Sequence, residues 1–193
     1  MIKIGVTGGI GAGKTLLCKI FEVFGYPTFY ADEQAKYLMQ NNTELKNQIK
    51  QLLGSKAYDN EGHYDRTFVA SKVFNNKKLL SELNDLVHPA VHKHADLWFS
   101  KLRTKLAFYE AALIVESNNV RRFEELICVT APIQIRVERV MNRSGLSEEQ
   151  ILGRISNQSS DQEKRKHASY EVINDGTHSL INQAIIFHQF ILS

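Results

Sequence analysis

The pattern of hydrophobic positions at the start of the chain predicts a strand followed by a helix. Ile2, Ile4 and Val6 alternate with polar or small residues, which is the two-residue period of a β-strand. After a glycine-rich stretch, apolar residues return at the spacing of one helix face, and Gly25 ends this run. The residues of that face are Leu16, Leu17, Ile20, Phe21 and Phe24.

Strand and helix patterns alternate along the rest of the chain. Strand-like segments lie at 26–30, 106–109, 126–130 and 170–174. Helical patterns lie at 34–53, 68–74, 78–86 and 89–106, in a long helix starting at Pro132, and in an amphipathic segment at 180–192. Residues 115–125 are expected to form helix and turn. This alternation predicts an α/β fold with a parallel sheet and right-handed crossovers.

Composition places the chain among ordinary globular proteins. Of the 193 residues, 43% are hydrophobic and 23% are charged, and the net charge is +3. Basic residues concentrate near the N-terminal glycine-rich stretch and in segments 76–105 and 136–166, which favours a polyphosphate ligand over a nucleic acid. The first residues do not form a signal-peptide pattern, and no long apolar run occurs. We therefore expect a cytoplasmic protein with no membrane or nucleic-acid partner.

Only two cysteines occur, and they are far apart. Cys18 lies in the first predicted helix and Cys128 in a predicted strand, and no C-x-x-C sequence exists. Neither a disulfide framework nor a zinc site is indicated, so both are expected to pack as small apolar residues.

The glycine-rich stretch between the first strand and helix is a phosphate-binding loop. Gly8, four further residues, and Gly13-Lys14-Thr15 complete the pattern G-x-x-x-x-G-K-[ST]. Backbone N–H groups of such a loop form an anion nest at a helix N-terminus, the lysine reaches the β- and γ-phosphates, and the hydroxyl binds Mg²⁺. We predict a nucleoside triphosphate site whose nucleotide-binding residues are Gly11, Ala12, Gly13, Lys14, Thr15 and Leu16, with Thr15 as the metal ligand.

Two carboxylates follow strands at the edge where parallel sheets bind ligands. Asp32 comes just after the second predicted strand and Glu110 just after the third. Asp32 is placed to orient or deprotonate an acceptor hydroxyl, although an aspartate there can also cap the next helix. Glu110 can hold Mg²⁺ and its waters, and this role stays open.

A phosphate-binding loop alone is compatible with several classes of protein. The guanine-binding sequence N-K-x-D of GTPases is absent, and the chain is short for a motor protein. A small-molecule kinase needs an arginine-rich lid that screens phosphate charge and excludes water. The arginines placed for such a lid are Arg136, Arg139, Arg143 and Arg154. A nucleoside or nucleotide kinase and a nucleotide-gated binding module that moves no phosphate remain as alternatives.

The chain resembles the dephospho-CoA kinase family over nearly its whole length. The matching segments, in family order, are IGVTGGIGAGKT, Ala31-Asp32, Gly62-His63-Tyr64-Asp65-Arg66, Phe74, Leu83-Asn84, His88-Pro89, Leu113 to Glu116, Arg139 with Arg143, Arg154 to Gln158, and Val172-Ile173-Asn174. The chain departs from the family pattern at Tyr30, Ala112 and Ser169, where aspartate, proline and aspartate are usual. Only Asp32 of the acidic pair after the second strand is therefore carried over.

The resemblance implies an α/β fold of the P-loop NTPase type. We expect a three-layer sandwich with a five-stranded parallel sheet, a helical substrate-binding insertion and a lid, all within one P-loop kinase domain over 1–193. The core would comprise 1–32, 106–141 and 167–193, the helical CoA-binding insertion 33–105, and the lid 142–166. Within the insertion, Leu38, Leu45, Ile49 and Leu52 form an apolar stripe.

The resemblance also implies the reaction and the roles of several residues. The γ-phosphate of ATP would move to the ribose 3′-hydroxyl of dephospho-CoA, giving CoA and ADP with Mg²⁺ as cofactor. Lys14, Asp32, Arg139 and Arg143 are expected to carry the chemistry. The residues expected to bind dephospho-CoA are Asp32, Asp65, Arg66 and His88.

Two groups in the insertion allow more than one interpretation. His88, His92 and His94 could hold a metal by their spacing, but His88-Pro89 also fits the start of a helix. Tyr64, Phe68 and Phe74 are expected in the core, with contacts to the pantetheine arm as the alternative.

Overall fold

The first unit of the protein is built on five parallel strands. The computed structural model describes residues 1–74 and 76–193, which divide into one compact unit of Met1–Tyr30 with Arg103–Ser193 and a second of Ala31–Leu102. The strands are β1 (Ile2–Thr7), β2 (Thr28–Tyr30), β3 (Leu106–Glu110), β4 (Glu125–Thr130) and β5 (Tyr170–Ile173). Their order is β2-β3-β1-β4-β5, and every neighbouring pair is parallel. The predicted α/β fold with a parallel sheet is confirmed.

The helices of the first unit follow the strands. They are α1 (Lys14–Val23), α6 (Ile133–Ser144), α7 (Glu148–Ser156), α8 (Asp161–His167) and α9 (Leu180–Leu192). The predicted bounds of α9 are confirmed, and α6 begins directly after Pro132 as expected. Segment 115–125 contains turns and a short 3₁₀ helix at Val120–Arg122, and no α-helix lies within it.

One apolar core packs α1 and α9 against the sheet. Phe21 of α1 stacks on Phe108 of β3, with ring centroids 4.2 Å apart, and its edge meets Phe187 of α9. Cys18 and Cys128 are both fully buried, and burial raises the pKa of each thiol. Their predicted role as small packing residues is confirmed. Leu16 was predicted on the buried face of α1, but it is 55% exposed because the face centres on Leu17 and Phe21.

The second unit is helical. It contains α2 (Ala31–Asn41), α3 (Thr43–Leu53), a 3₁₀ turn at Ser55–Ala57, α4 (Arg66–Val73) and α5 (Lys77–Lys101). The single helix predicted at 34–53 is wrong, because Asn42 interrupts it and caps α3 by accepting a hydrogen bond from the N–H of Leu45. Phe74 was predicted to be buried, but it is 82% exposed at the end of α4.

Helix α5 runs through Pro89, where the sequence predicted a new helix to begin. Its buried residues recur every fourth position, at Leu83, Val87, Val91, Ala95 and Phe99, and this apolar stripe is continuous on both sides of the proline. Proline inside a helix removes one hydrogen bond and crowds the preceding turn. Burial of the continuous stripe outweighs that cost.

The proline in α5 leads to a test of helix continuity. We expect Pro89→Ala to raise the free energy of unfolding by about 2 kcal/mol, because proline inside a helix costs about 3 kcal/mol relative to alanine, while proline also restricts the unfolded chain. Urea denaturation measures the change, with the exposed Ser81→Ala in the same helix as control. An unchanged or lower value would contradict a continuous α5, because proline at a helix start is favourable.

Candidate active site

The phosphate-binding loop joins β1 to α1 at the carboxyl edge of the sheet. Gly13 precedes the first residue of α1 with a left-handed φ of 102°. A Cβ atom at Gly13 would lie 2.0 Å from Nδ2 of Asn174, which leaves no space for a side chain. Both the backbone conformation and the packing therefore require glycine at this position.

Lys14 is the first residue of α1, and its side chain contacts the backbone of the loop. Its side chain is buried, and Nζ donates hydrogen bonds to the carbonyl oxygens of Gly8 at 3.1 Å and Gly9 at 3.4 Å. Nζ also lies 3.8 Å from Oε1 of Glu110, whose carboxylate is buried at the end of β3. The loop and the strand end thus hold one cation and one anion together at the edge where ligands bind open α/β sheets.

The register of three strands explains why Glu110 reaches the loop. Glu110 is paired with Val6 of β1 on one side and with Tyr30 of β2 on the other. The segments that follow β1, β2 and β3 therefore leave the sheet at the same edge.

The hydroxyl of Tyr30 donates a hydrogen bond to Oε1 of Glu22 at 2.9 Å. Burial and this hydrogen bond raise the pKa of the Tyr30 phenol.

The donor set near Lys14 fits a hard divalent cation. Thr15 is exposed in the first turn of α1, and Glu110 supplies a carboxylate at the end of β3. Hydroxyl and carboxylate oxygens are the donors that Mg²⁺ takes in kinases, alongside phosphate and water oxygens. Thr15 and Glu110 are thus chemically suited to hold the ion.

Asp32 is the second residue of α2, two positions beyond the end of β2. It is exposed, and Glu33 is the other acid in the same first turn. Because α2 already begins at Ala31, Asp32 lies inside the helix rather than at the capping position before it. The helix dipole favours both acids there, typically by 0.3–1 kcal/mol.

Arg139 is bound to a residue that also contacts the phosphate loop. Its guanidinium donates to the backbone carbonyl of Asn174 at 3.1 Å and to its side-chain oxygen at 3.2 Å. The amide of Asn174 is buried and donates to the carbonyl oxygen of Ala12 at 2.8 Å. Arg139 is therefore fixed relative to the loop through one side chain. Arg143 is exposed one turn further along α6.

The four arginines expected in the lid have different environments. Arg136 is buried, donates from Nε to the carbonyl of Ile10 at 2.9 Å, and pairs with Asp161 at 3.2 Å. Arg154 is exposed on α7. The expectation that all four arginines serve a lid therefore does not fit Arg136, because its guanidinium is buried and donates to the phosphate loop.

Sequence reasoning gave no role to several residues that meet the loop or its surroundings. Gln158 accepts a hydrogen bond from the N–H of Ile10, and Asn174 binds Ala12 and Arg139. Lys164 is fully buried and donates to Glu116. The sequence offered one sign of a role for three of these residues, because segments that carry the family resemblance contain Gln158, Asn174 and Glu116. No feature of the sequence indicated a role for Lys164.

The residues expected to bind the acceptor lie in the second unit. Asp65 caps α4 by accepting a hydrogen bond from the N–H of Phe68 at 2.8 Å, and Arg66 is exposed as the first residue of that helix. His88 is half-buried on α5, and desolvation lowers the pKa of its imidazole. Its ring stacks with that of His92, with centroids 6.4 Å apart.

The spacing of the three histidines of α5 is compatible with a metal site. Within residues 1–74 and 76–193, the structure shows no group of three or more His, Cys, Asp or Glu side chains that could hold a metal ion. Nε2 of His94 lies 3.1 Å from the side-chain oxygen of Gln34 on α2, within hydrogen-bond distance. Tyr64 and Phe68, which the sequence placed in the core, are partly buried.

In the described part of the chain, no helix combines the length and apolar character that crossing a membrane requires.

Comparisons with known proteins cover nearly the whole chain. A family model described as dephospho-CoA kinase matches residues 2–179. The dephospho-CoA kinase of Bacteroides fragilis strain YCH46 is 35% identical over 185 residues, which span 95% of this chain and 90% of that protein. The match therefore includes the phosphate loop, the helical unit and the segment from α6 to β5.

Solved structures share the fold of this chain over nearly its whole length. The crystal structure of TT1252 from Thermus thermophilus matches with a TM-score of 0.89 at 33% identity, covering 100% of this chain and 98% of that chain. A dephospho-CoA kinase from Campylobacter jejuni matches with a TM-score of 0.69 at 24% identity, covering 98% and 96% of the two chains. At 24% identity, the second match shows a shared fold only.

Proposed function

The chain belongs to the dephospho-CoA kinase family, and we propose that its phosphate-loop site transfers the γ-phosphate of ATP to the ribose 3′-hydroxyl of dephospho-CoA. The products would be CoA and ADP. The observation that carries this proposal is the buried Lys14, held in a G-x-x-x-x-G-K-T loop between β1 and α1 of a chain matched by the family model over residues 2–179.

ATP would be held by the loop. The N–H groups from Gly11 to Leu16 meet the phosphates at the N-terminus of α1, where the helix dipole favours negative charge. The Lys14 ammonium would bind the β- and γ-phosphates and stabilise the charge that develops as the bond breaks. Bound Mg²⁺ would supply neutralisation of phosphate charge, and the hydroxyl of Thr15 and the carboxylate of Glu110 are the groups proposed to hold it.

Asp32 is proposed to accept the proton of the acceptor hydroxyl. A ribose hydroxyl is a weak nucleophile, and a carboxylate within hydrogen-bond reach can take its proton late in a loose transition state. Its exposure in the first turn of α2 leaves the carboxylate accessible to a substrate. Asp65, Arg66 and His88 of the same unit are proposed to bind dephospho-CoA.

Arg139 and Arg143 are proposed to act on the transferring phosphate. The contacts of Arg139 with Asn174 hold its guanidinium near the carbonyl side of the loop, which lowers the entropy lost on binding phosphate. Arg143 lies at the end of α6, next to the segment that leads into α7, so it would approach the phosphate as that segment moves.

The reaction itself can be tested directly. Purified protein is mixed with ATP, Mg²⁺ and dephospho-CoA, and CoA and ADP are separated by chromatography. We expect equal amounts of both products, with none when dephospho-CoA is omitted. ADP without CoA would contradict the proposal, as would faster transfer to adenosine or AMP, which would favour another nucleotide kinase.

A lid is expected to close over the site during each cycle. Residues 142–166 should exchange backbone hydrogens faster without ligands than with a non-hydrolysable ATP analogue and dephospho-CoA. The largest change is expected in α7, because α8 and the residues before it are bonded to the segment after β3 through Lys164 and Ser159. Mass spectrometry of exchange measures this change, with the buried strand β4 as the internal control. Equal exchange of α7 in both states would contradict a closing lid.

A further inference from the structure

The linker between α7 and α8, together with the first residue of α8, is bonded to three separate parts of the first unit. The side-chain oxygen of Gln158 accepts a hydrogen bond from the N–H of Ile10 at 2.9 Å. The N–H of Ser159 donates to Oε1 of Glu116 at 2.9 Å. Asp161, the first residue of α8, pairs with Arg136 of α6. The linker is thus fixed to the phosphate loop, to the segment after β3 and to α6.

Ile10 is held on both sides of its backbone by side chains from outside the loop. Gln158 accepts from its N–H, and Nε of Arg136 donates to its carbonyl oxygen at 2.9 Å. Arg136 is only 4% exposed, and Asp161 balances its charge at 3.2 Å. Ile10 lies in the middle of the G-x-x-x-x-G-K-T sequence, so both contacts act on the tip of the loop.

The close packing of Arg136 explains two glycines of the loop. A Cβ atom at Gly9 would lie 2.0 Å from Nη2 of Arg136, and one at Gly11 would lie 2.5 Å from its backbone oxygen. Gly11 also has a left-handed φ of 78°. These glycines occupy variable positions of the phosphate-loop pattern, and Arg136 leaves no space for a side chain at either one.

The buried Lys164 of α8 forms a second attachment beside the linker. Lys164 is fully buried, and Nζ donates to the carbonyl oxygen of Ala112 at 3.1 Å and to the carboxylate of Glu116. Glu116 also accepts from the N–H of Ser159. A buried ammonium without partners would be very unfavourable, so this pairing keeps α8 and the linker in place. Gln158 is therefore presented to Ile10 from a fixed backbone.

We propose that Gln158 is a positioning residue for nucleotide binding, which fixes the tip of the phosphate loop through the N–H of Ile10. With the tip held, the N–H groups from Gly11 onward converge on the phosphates without reorganisation when ATP binds. Loss of this hydrogen bond would release the tip, and ATP binding would have to order it again, which lowers affinity. The inference rests on ATP binding by the proposed function, but not on the identity of the acceptor.

The test replaces Gln158 with methionine, which has a similar length but a poor hydrogen-bond acceptor. We expect the Kd for ATP, measured by titration calorimetry, to rise about tenfold, within the net worth of one hydrogen bond. Hydrogen exchange in a peptide covering residues 5–17 should become faster, and the KM for dephospho-CoA should stay the same. Gln162→Met, at an exposed position on α8, is the matched control and should leave all three values unchanged.

A second variant separates positioning from simple stabilisation. Gln158→Glu keeps an acceptor oxygen at the same reach, so exchange of residues 5–17 should remain slow. An unchanged Kd for ATP in Gln158→Met would overturn the proposal, whether or not the unfolding temperature falls. Fast hydrogen exchange of residues 5–17 in Gln158→Glu would also overturn it.

The outcome for the proposed function can be told apart from the outcome for this inference. If the wild-type protein binds ATP but forms no CoA, the proposed function fails, and the Kd and the exchange data still test the role of Gln158.

Discussion

Replacing Lys14 with alanine is expected to lower the turnover for CoA formation by about 10³-fold. The ammonium lies within the phosphate loop, where it is placed to stabilise charge on the transferring phosphate. Groups preorganised on charge that develops in the transition state contribute about 10²–10³ each to turnover, and 10³-fold corresponds to about 4 kcal/mol. Steady-state kinetics with saturating ATP and dephospho-CoA measure the effect.

The controls for this variant follow from the surroundings of Lys14. Removing the ammonium leaves the buried carboxylate of Glu110 without that partner, so circular dichroism and thermal unfolding must show an intact fold. Lys14→Met keeps the aliphatic packing and should lose turnover to the same extent. Lys19→Ala removes an exposed lysine from the same helix and should retain normal turnover. Near-normal turnover in a folded Lys14→Ala protein would contradict the site.

Asp32→Asn is expected to lower turnover by about 10²-fold while leaving the affinity for ATP unchanged. Asparagine keeps the shape of the side chain but removes its charge and basicity, and a positioned base contributes at least about 10²-fold. This loss corresponds to about 2.7 kcal/mol, more than an acid in the first turn of a helix contributes through the helix dipole. ATP should bind normally, since the loop and Lys14 are proposed to hold its phosphates.

The neighbouring acid provides the matched control for Asp32. Glu33→Gln removes the same charge from the same turn of α2, so it reproduces any effect on the helix without touching the proposed base. Calorimetry of ATP binding is paired with CoA formation in both variants and in the wild type. If Asp32→Asn forms CoA at the wild-type rate, Asp32 only supports α2. A wild-type protein that binds ATP and forms no CoA would instead be a nucleotide-binding module.

The arginines show where sequence reasoning reached its limit. Arg136, Arg139 and Arg143 lie on one predicted helix, and their pattern gave them a shared expectation. In the structure Arg136 is buried against Ile10 and Asp161, Arg139 is bonded to Asn174, and Arg143 is exposed. Helical periodicity tells which residues share a face, but the partners of that face come from other parts of the chain.

Helix α5 shows how packing can overrule local preference. Proline favours the first turn of a helix, so His88-Pro89 indicated a new helix there. The buried stripe from Leu83 to Phe99 instead continues through Pro89, because apolar burial along the whole helix outweighs one lost hydrogen bond. The same limit applies to Phe74, whose aromatic character suggested burial but whose ring is exposed.

The sequence by itself determined the features that a short segment encodes. The strand, the phosphate loop and α1 depend on hydrophobic period, glycine conformations and one lysine within residues 2–25, and α9 follows from its own amphipathic pattern. The tertiary structure alone decided which distant side chains support that loop. Gln158 meets Ile10 across 148 positions and Asn174 meets Ala12 across 162, and such contacts exist only after the sheet has brought those segments together. Local periodicity carries no information on them, because their geometry is set by packing over the whole unit.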